Sequence, residues 1–217
     1  MQRDILNRFL LAGLAMACLG LSSCATAPSK NECLAMDWRT VGYEDGAHGY
    51  PGSRIGVHRK ACGEYGVTPD FDAYQKGRSE GLLEFCTAAN GYGVGASGRQ
   101  YGGVCPVERE QDFLMAWSEG HEVYVLRSRV SATSSQLGAR RRELDRLQKS
   151  VAQNAAVAVD EQTTKDARVD AVLDTAKIAE RMGQVKTEIR GLEQDLAHQQ
   201  QELDDYLAAH PPLLTSR

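Results

Sequence analysis

The chain reads as mainly α: a small disulfide-stapled helical domain with a Gly-rich loop, followed by a long antiparallel helical (coiled-coil) hairpin. Three observations carry this reading. Cys33, Cys62, Cys86 and Cys105 fall in one stretch that also holds most of the 21 glycines. From Val107 onward, no proline interrupts the chain until His210-Pro211-Pro212. Two apolar seams with heptad spacing run through that proline-free region.

The order of segments begins with Arg3 and Arg8 ahead of an apolar run from Phe9 to about Leu21. This is the charged region and short apolar region of an export signal, too short for a comfortable membrane span. It ends in Leu21-Ser22-Ser23-Cys24. These four residues resemble a bacterial lipoprotein cleavage site, which implies diacylglycerol on the Cys24 thiol, cleavage before it and an acylated new N-terminus. Residues 1–23 are then the signal peptide and 24–32 a polar tether. Ala25 follows the cysteine where an aspartate would retain such a protein in the inner membrane. The resemblance therefore implies a lipid anchor in the outer membrane, facing the periplasm. Several acyl chains together hold far better than one, at about 0.8 kcal/mol per buried methylene.

Removing residues 1–23 takes away Arg3, Arg8 and Asp4, leaving 23 basic against 28 acidic side chains. A mildly acidic chain is a poor nucleic-acid ligand, and no nucleic-acid partner is expected. In an exported chain, four cysteines read as two disulfides. Of the three pairings, Cys33–Cys62 and Cys86–Cys105 are preferred because each closes a local loop. No cysteine pair has the close spacing of a zinc site.

The stapled domain covers residues 33–121. Thr68-Pro69 reads as a helix start, with Phe71, Tyr74, Leu82 and Phe85 at helical spacing behind it. Cys105-Pro106 starts another, with Glu108 and Glu110 favourable to its dipole. A short repeat recurs as Gly42…Asp45-Gly46, Gly77…Glu80-Gly81 and Ala116…Glu119-Gly120. Small residues four apart share one helix face, so each copy offers a smooth strip for close packing. If the three strips pack together, Asp45, Glu80 and Glu119 converge. Gly93-Val94-Gly95-Ala96-Ser97-Gly98 fits a dinucleotide string, but it lies between Cys86 and Cys105 and reads as a flexible disulfide-closed loop.

The same stretch resembles an uncharacterised bacterial lipoprotein family defined by a domain of unknown function. The resemblance rests on Cys33, Asp37-Trp38, Gly42, Asp45-Gly46, His58, Ala61-Cys62, Tyr74, Gly77-Arg78, Gly81-Leu82 and Cys86. Asn90-Gly91, Gly98, Tyr101 and Val104-Cys105-Pro106 continue it. It covers about residues 33–121, carries no activity across, and leaves the C-terminal region outside.

Residues 122–208 form the hairpin and 209–217 a flexible tail. Val123, Leu126, Val130, Leu137, Leu144, Leu147 and Val151 make the first seam, lapsing at Thr133 and Arg140. Met182, Val185, Ile189, Leu192, Leu196, Leu203 and Tyr206 make the second, lapsing at Gln199. Residues 122–152 carry seven basic and three acidic groups, and residues 160–206 six and twelve. Opposite charge favours pairing the two arms with each other. A tip near residue 158 sets Val130 against Val185, Leu144 against Val172, Arg142 near Asp174 and Arg146 near Asp170.

No nucleophile elbow or metalloprotease helix occurs, and the cysteines are committed to disulfides. No enzyme activity, cofactor or metal is expected; His48 and His58 with Asp45 or Glu64 are the nearest approach to a metal site. Asp37, Trp38, Asp45, Glu80, Tyr92, Tyr101 and Glu119 are the candidate ligand-binding residues. The leading function is a membrane-anchored structural or adaptor lipoprotein of the cell envelope, projecting its hairpin to an envelope protein or cell-wall partner. A periplasmic module binding a cell-wall glycan or peptide is the alternative, and a carboxylate-dependent hydrolase comes third.

Overall fold

A computed structural model describes residues 28–211. The Leu21–Cys24 site and the tail beyond Pro211 lie outside the described residues. Within them the chain is helical, with α1 (Lys30–Leu34), α2 (Trp38–Ala47), a 3-10 turn (Gly52–Arg54), α3 (Ile55–Gly63), α4 (Phe71–Phe85), α5 (Ala88–Ala96), α6 (Val107–Val159) and α7 (Lys165–Ala209). No strand occurs among the described residues.

The stapled domain is two helix pairs, α2 with α4 and α5 with the first turns of α6. Both pairs are built on small residues. A methyl group at Gly42 would overlap the carbonyl oxygen of Tyr74, and one at Gly46 that of Arg78. From the other side, Gly77 presses on the Arg39 carbonyl and Gly81 on that of Tyr43. Contact positions rise together along both helices, so the pair is parallel. The glycine hydrogen standing where a side chain would begin points at each oxygen, giving weak C–H···O contacts worth about 0.5–1 kcal/mol apiece.

The second pair repeats the first. Gly91 lies against the Phe113 carbonyl, Gly95 against that of Trp117, and Gly120 against that of Tyr92. Both first helices end in a left-handed glycine, Gly49 at φ +71° and Gly98 at φ +74°. Each of these turns is closed by the hydrogen-bond pattern of a glycine helix stop, Tyr50 N to Asp45 O at 2.9 Å and Arg99 N to Val94 O at 3.2 Å. Gly49 leaves room for the Phe85 ring, and Gly98 for the Tyr124 ring. The Arg78 guanidinium donates to Tyr50 O, as the Trp117 indole donates to Arg99 O. The domain is therefore a tandem structural repeat, from Cys33 to Phe85 and from Cys86 to about Tyr124.

Parallel pairing explains where the disulfides fall. It brings the two helix N-termini side by side, and each disulfide joins the segments that enter them. Cys33 bonds Cys62 and Cys86 bonds Cys105, with Cα atoms 5.5 and 5.6 Å apart. On a chain-entropy model each contributes about 3 kcal/mol. Trp38 and Tyr74 are buried around the first bridge, and Val94 and Phe113 around the second. Leu82 and Phe85 at the end of α4 reach into the second cluster, where the Phe85 and Phe113 rings lie 5.3 Å apart.

Two local expectations change. The helix behind Thr68-Pro69 begins at Phe71, because the Asp70 carboxylate caps it by accepting from Ala73 N at 2.9 Å. The expected flexible loop from Asn90 is instead helix α5, capped by Thr87, through most of the dinucleotide-like string. Gly91 and Gly95 are there for close packing, while a methyl group at Gly93 would meet nothing within 4 Å.

Helix α6 runs unbroken from the second repeat into the arm, and α7 returns antiparallel to it. The Tyr206 hydroxyl, 3.3 Å from the Glu119 carbonyl, brings the end of α7 back to the domain. Val123, Leu126, Leu137 and Val185 are buried in the seams, as is Thr133, one of the polar lapses. The other lapse, Arg140, belongs to an ionic network. Arg140 and Arg181 both hold Glu143 and Glu188, with N–O distances between 2.6 and 3.1 Å.

The seams are as read, but their register is not. Arg129 pairs with Glu202 and Arg141 with Glu193, so Val130 does not face Val185 and Arg142 does not face Asp174. The turn is Asp160–Thr164, centred about four residues beyond residue 158, and each step there moves the facing partner by two. Side-chain chemistry sets it. Asp160 accepts from Gln162 N and from the Thr163 hydroxyl, and the Thr164 hydroxyl caps α7.

Candidate functional site

Asp45 sits on the last turn of α2, 6% exposed, on the side of the helix pair covered by the insertion Gly52–Gly63. Its Oδ2 accepts the Tyr74 hydroxyl at 2.7 Å and lies 2.8 Å from His58 Nε2. Its Oδ1 faces Arg54 Nε at 3.7 Å, too long for a hydrogen bond. Arg54 in turn stacks on the Tyr50 ring, 4.1 Å from its centroid. A carboxylate accepting from the tyrosine leaves His58 Nε2 as the second donor. Burial, reinforced by the hydrogen bond to Asp45, pushes the Tyr74 phenol far above the usual tyrosine range.

Three groups from three elements, Tyr74 of α4, His58 of α3 and Arg54 of the 3-10 turn, thus meet on one buried carboxylate, and together they clamp the insertion to the helix pair. The cluster contains no hydroxyl or thiol beside the imidazole other than the committed Tyr74 phenol. All four described cysteines are in disulfides. Among the described residues no group of three or more His, Cys, Asp or Glu side chains is arranged to hold a metal ion.

The other expected site residues do not join it. Asp37 caps α2, accepting from Arg39 N and the Thr40 hydroxyl. Trp38 is core, 9% exposed. Tyr101 is a packing residue on Phe113; its oxygen accepts from Cys105 N at 2.8 Å and its proton goes to Glu110. Tyr92 is half-buried along the second helix pair, where its carbonyl receives Gly120. Glu80 forms a bidentate pair with Arg39, and the Glu119 side chain is exposed.

Asp45, Glu80 and Glu119 therefore do not converge. In a parallel pair whose strips face each other, the position before each strip glycine turns to opposite sides. Asp45 and Glu80 are separated by that geometry, and Glu119 belongs to the other pair. The sequence marks His58 and Tyr74 as residues of the resemblance, His58 also as the nearest approach to a metal ligand and Tyr74 as one of several residues at helical spacing, and it leaves Arg54 unmarked. The signal that finds them is the second repeat. Aligning Gly42-x-x-Asp45-Gly46 with Gly91-x-x-Val94-Gly95 marks Asp45 as the polar member of an otherwise apolar pair.

A family model described as "Protein of unknown function (DUF2799)" matches residues 37–122. No curated protein and no solved structure matches the chain. The matched stretch opens at the cap of α2 and closes at Glu122, so it spans both helix pairs and stops where α6 leaves the domain for the arm.

Proposed function

We propose that this protein is an adaptor of the bacterial cell envelope, held to a membrane by lipid on Cys24 and carrying a stiff arm toward a protein partner. The observation that carries the reading is the continuity of α6. Its first turns are half of the second helix pair and its remainder is half of the arm. An arm joined through a single helix, with no linker, holds its tip at a set distance from the domain. From Tyr124 to Val159 that distance is roughly 50 Å at 1.5 Å per residue.

The tip is dressed for contact. Val169, Val172 and Leu173 on α7 are 55–58% exposed, and Val159 at the end of α6 is 78% exposed. A groove of about 350 Å³ lies between Ala158 and the α7 residues Lys165, Arg168, Val169, Val172 and Leu173. Its charged residues, Lys165 and Arg168, are both basic, and neither forms an ion pair among the described residues. Such an apolar, basic-edged surface suits an apolar segment bearing carboxylates.

Crosslinking in whole cells tests the reading. The full chain should capture an envelope protein. A variant with Val169, Val172 and Leu173 all changed to serine should lose it while keeping its melting temperature. Capture unaffected by the change, or capture of purified peptidoglycan through the stapled domain, overturns the adaptor reading.

A further inference from the structure

The insertion Gly52–Gly63 has no counterpart in the second repeat, where a short loop joins α5 to α6. It contains Arg54, His58, Arg59 and Lys60 and no acidic residue, in a chain of net charge −4. Arg54 and His58 turn inward to Asp45. Arg59 and Lys60 are exposed and form no ion pair among the described residues. Helical spacing sets Gly56, Lys60 and Gly63 on the outward arc of α3, with Arg59 at one edge and Val57 at the other. Val57 is 56% exposed, and methyl groups at Gly56 or Gly63 would meet nothing within 4 Å. At the Arg59 edge a groove of about 490 Å³ opens between Ile55, Arg59, Pro69 and Phe71, with Phe71 also 56% exposed.

The insertion is also close to the chain's attachment point. Four residues, Ala25 to Pro28, separate Cys24 from Ser29, the cap of α1. Fully extended, they and their flanking bonds span at most roughly 18 Å. Helix α1 is bonded through Cys33 to Cys62, inside α3.

We propose that the outward face of this insertion is a membrane-resting surface, in which Arg59 and Lys60 meet anionic lipid headgroups while Val57 and Phe71 enter the interface. The proposal rests on the lipid-anchor reading of Cys24. An anchor this short keeps the first repeat within reach of the bilayer, and unpaired cations beside exposed apolar side chains are what an anionic interface attracts. The second repeat, without the insertion, faces the periplasm with the arm.

The test places an environment-sensitive fluorophore at Val57→Cys in the full acylated chain, reconstituted into vesicles of phosphatidylcholine with about one third phosphatidylglycerol. A second preparation carries the label at Val159→Cys. The Val57 label should shift to shorter wavelength and be quenched by brominated lipid, and the Val159 label should do neither. Adding Arg59→Glu and Lys60→Glu should return the Val57 label to its aqueous spectrum. Each cation near an anionic surface is worth roughly five-fold in occupancy, so the pair should matter by more than an order of magnitude. Mass spectrometry of the N-terminal peptide separates the two levels of failure. Acylated Cys24 with an aqueous Val57 label overturns the resting surface alone. Unmodified Cys24 overturns the anchor and the proposal together. A shift that appears only when a protein or peptide is added makes the groove a protein site and also overturns it.

Discussion

Asp45 and Tyr74 stand in the first repeat where Val94 and Phe113 stand in the second. The backbones around them match in their glycine contacts, left-handed stops and return hydrogen bonds. Both tyrosine and phenylalanine are fully buried, and both small-residue strips are closed. Packing alone therefore does not ask for a polar cluster. What differs is the neighbour. Only the first repeat has an insertion to be held, and His58 and Arg54 reach from it to Asp45. The comparison shows that a parallel glycine-strip pair is the scaffold, while the buried carboxylate fastens an added surface to it.

The largest effect should come from breaking the scaffold itself. Gly77→Leu drives a side chain into the Arg39 carbonyl, and overpacking of this kind costs about 3 kcal/mol or more. For a chain of this size that lowers the melting temperature by about 10 °C. Gly56→Ala, on the open face of α3, should leave it unchanged or slightly raised. Equal losses from the two changes, read by thermal melts, would mean that the strips are not packing surfaces.

A smaller effect should follow from converting the first repeat toward the second. Asp45→Val leaves the Tyr74 hydroxyl buried without its acceptor, at a cost of about 1–3 kcal/mol. Adding Tyr74→Phe should recover most of that, because both partners are then apolar as at Val94 and Phe113. Denaturant unfolding of the two single variants and the double variant measures the coupling. Strictly additive losses would show that the hydroxyl and carboxylate do not depend on each other. Local proteolysis of Gly52–Gly63 should increase in the double variant, since the clamp on the insertion is gone.

The smallest effect belongs to the arm, where the same ionic chemistry is exposed. Hydrogen bonds from Arg140, then from Arg181, hold the Glu143 carboxyl below its ordinary range. Its folded value is depressed, so its contribution is present above the ordinary glutamate value near pH 4.5 and is lost as pH falls through the lower folded value. Glu143→Gln should flatten that part of the acid unfolding curve, followed by helical circular dichroism, and leave the neutral-pH melt nearly unchanged. An unaltered acid limb would remove the network from any role in stability.

Much of this architecture was legible in the residues. Cysteine spacing pointed to two local loops. Heptad seams from Val123 and to Tyr206 pointed to two long helices, and opposite arm charges to their pairing. The strips at Gly42, Gly77 and Ala116 were visible as smooth faces. The fourth, at Gly91 and Gly95, was hidden because a glycine-dense run reads as loop until a facing helix is known to need it. The candidate site was legible only as Asp45. His58 and Arg54 carry no mark in the sequence of what they touch.

Local chemistry, written in the chain, determined which segments are helices, where capping hydroxyls and carboxylates start them, and which faces are apolar or small. Tertiary structure decided the rest, because it depends on what each face meets. Parallel pairing put Asp45 and Glu80 on opposite sides. The Asp160 turn shifted the arm register by about eight residues. Burial beside an inserted helix turned an ordinary acid into the point where Tyr74, His58 and Arg54 meet.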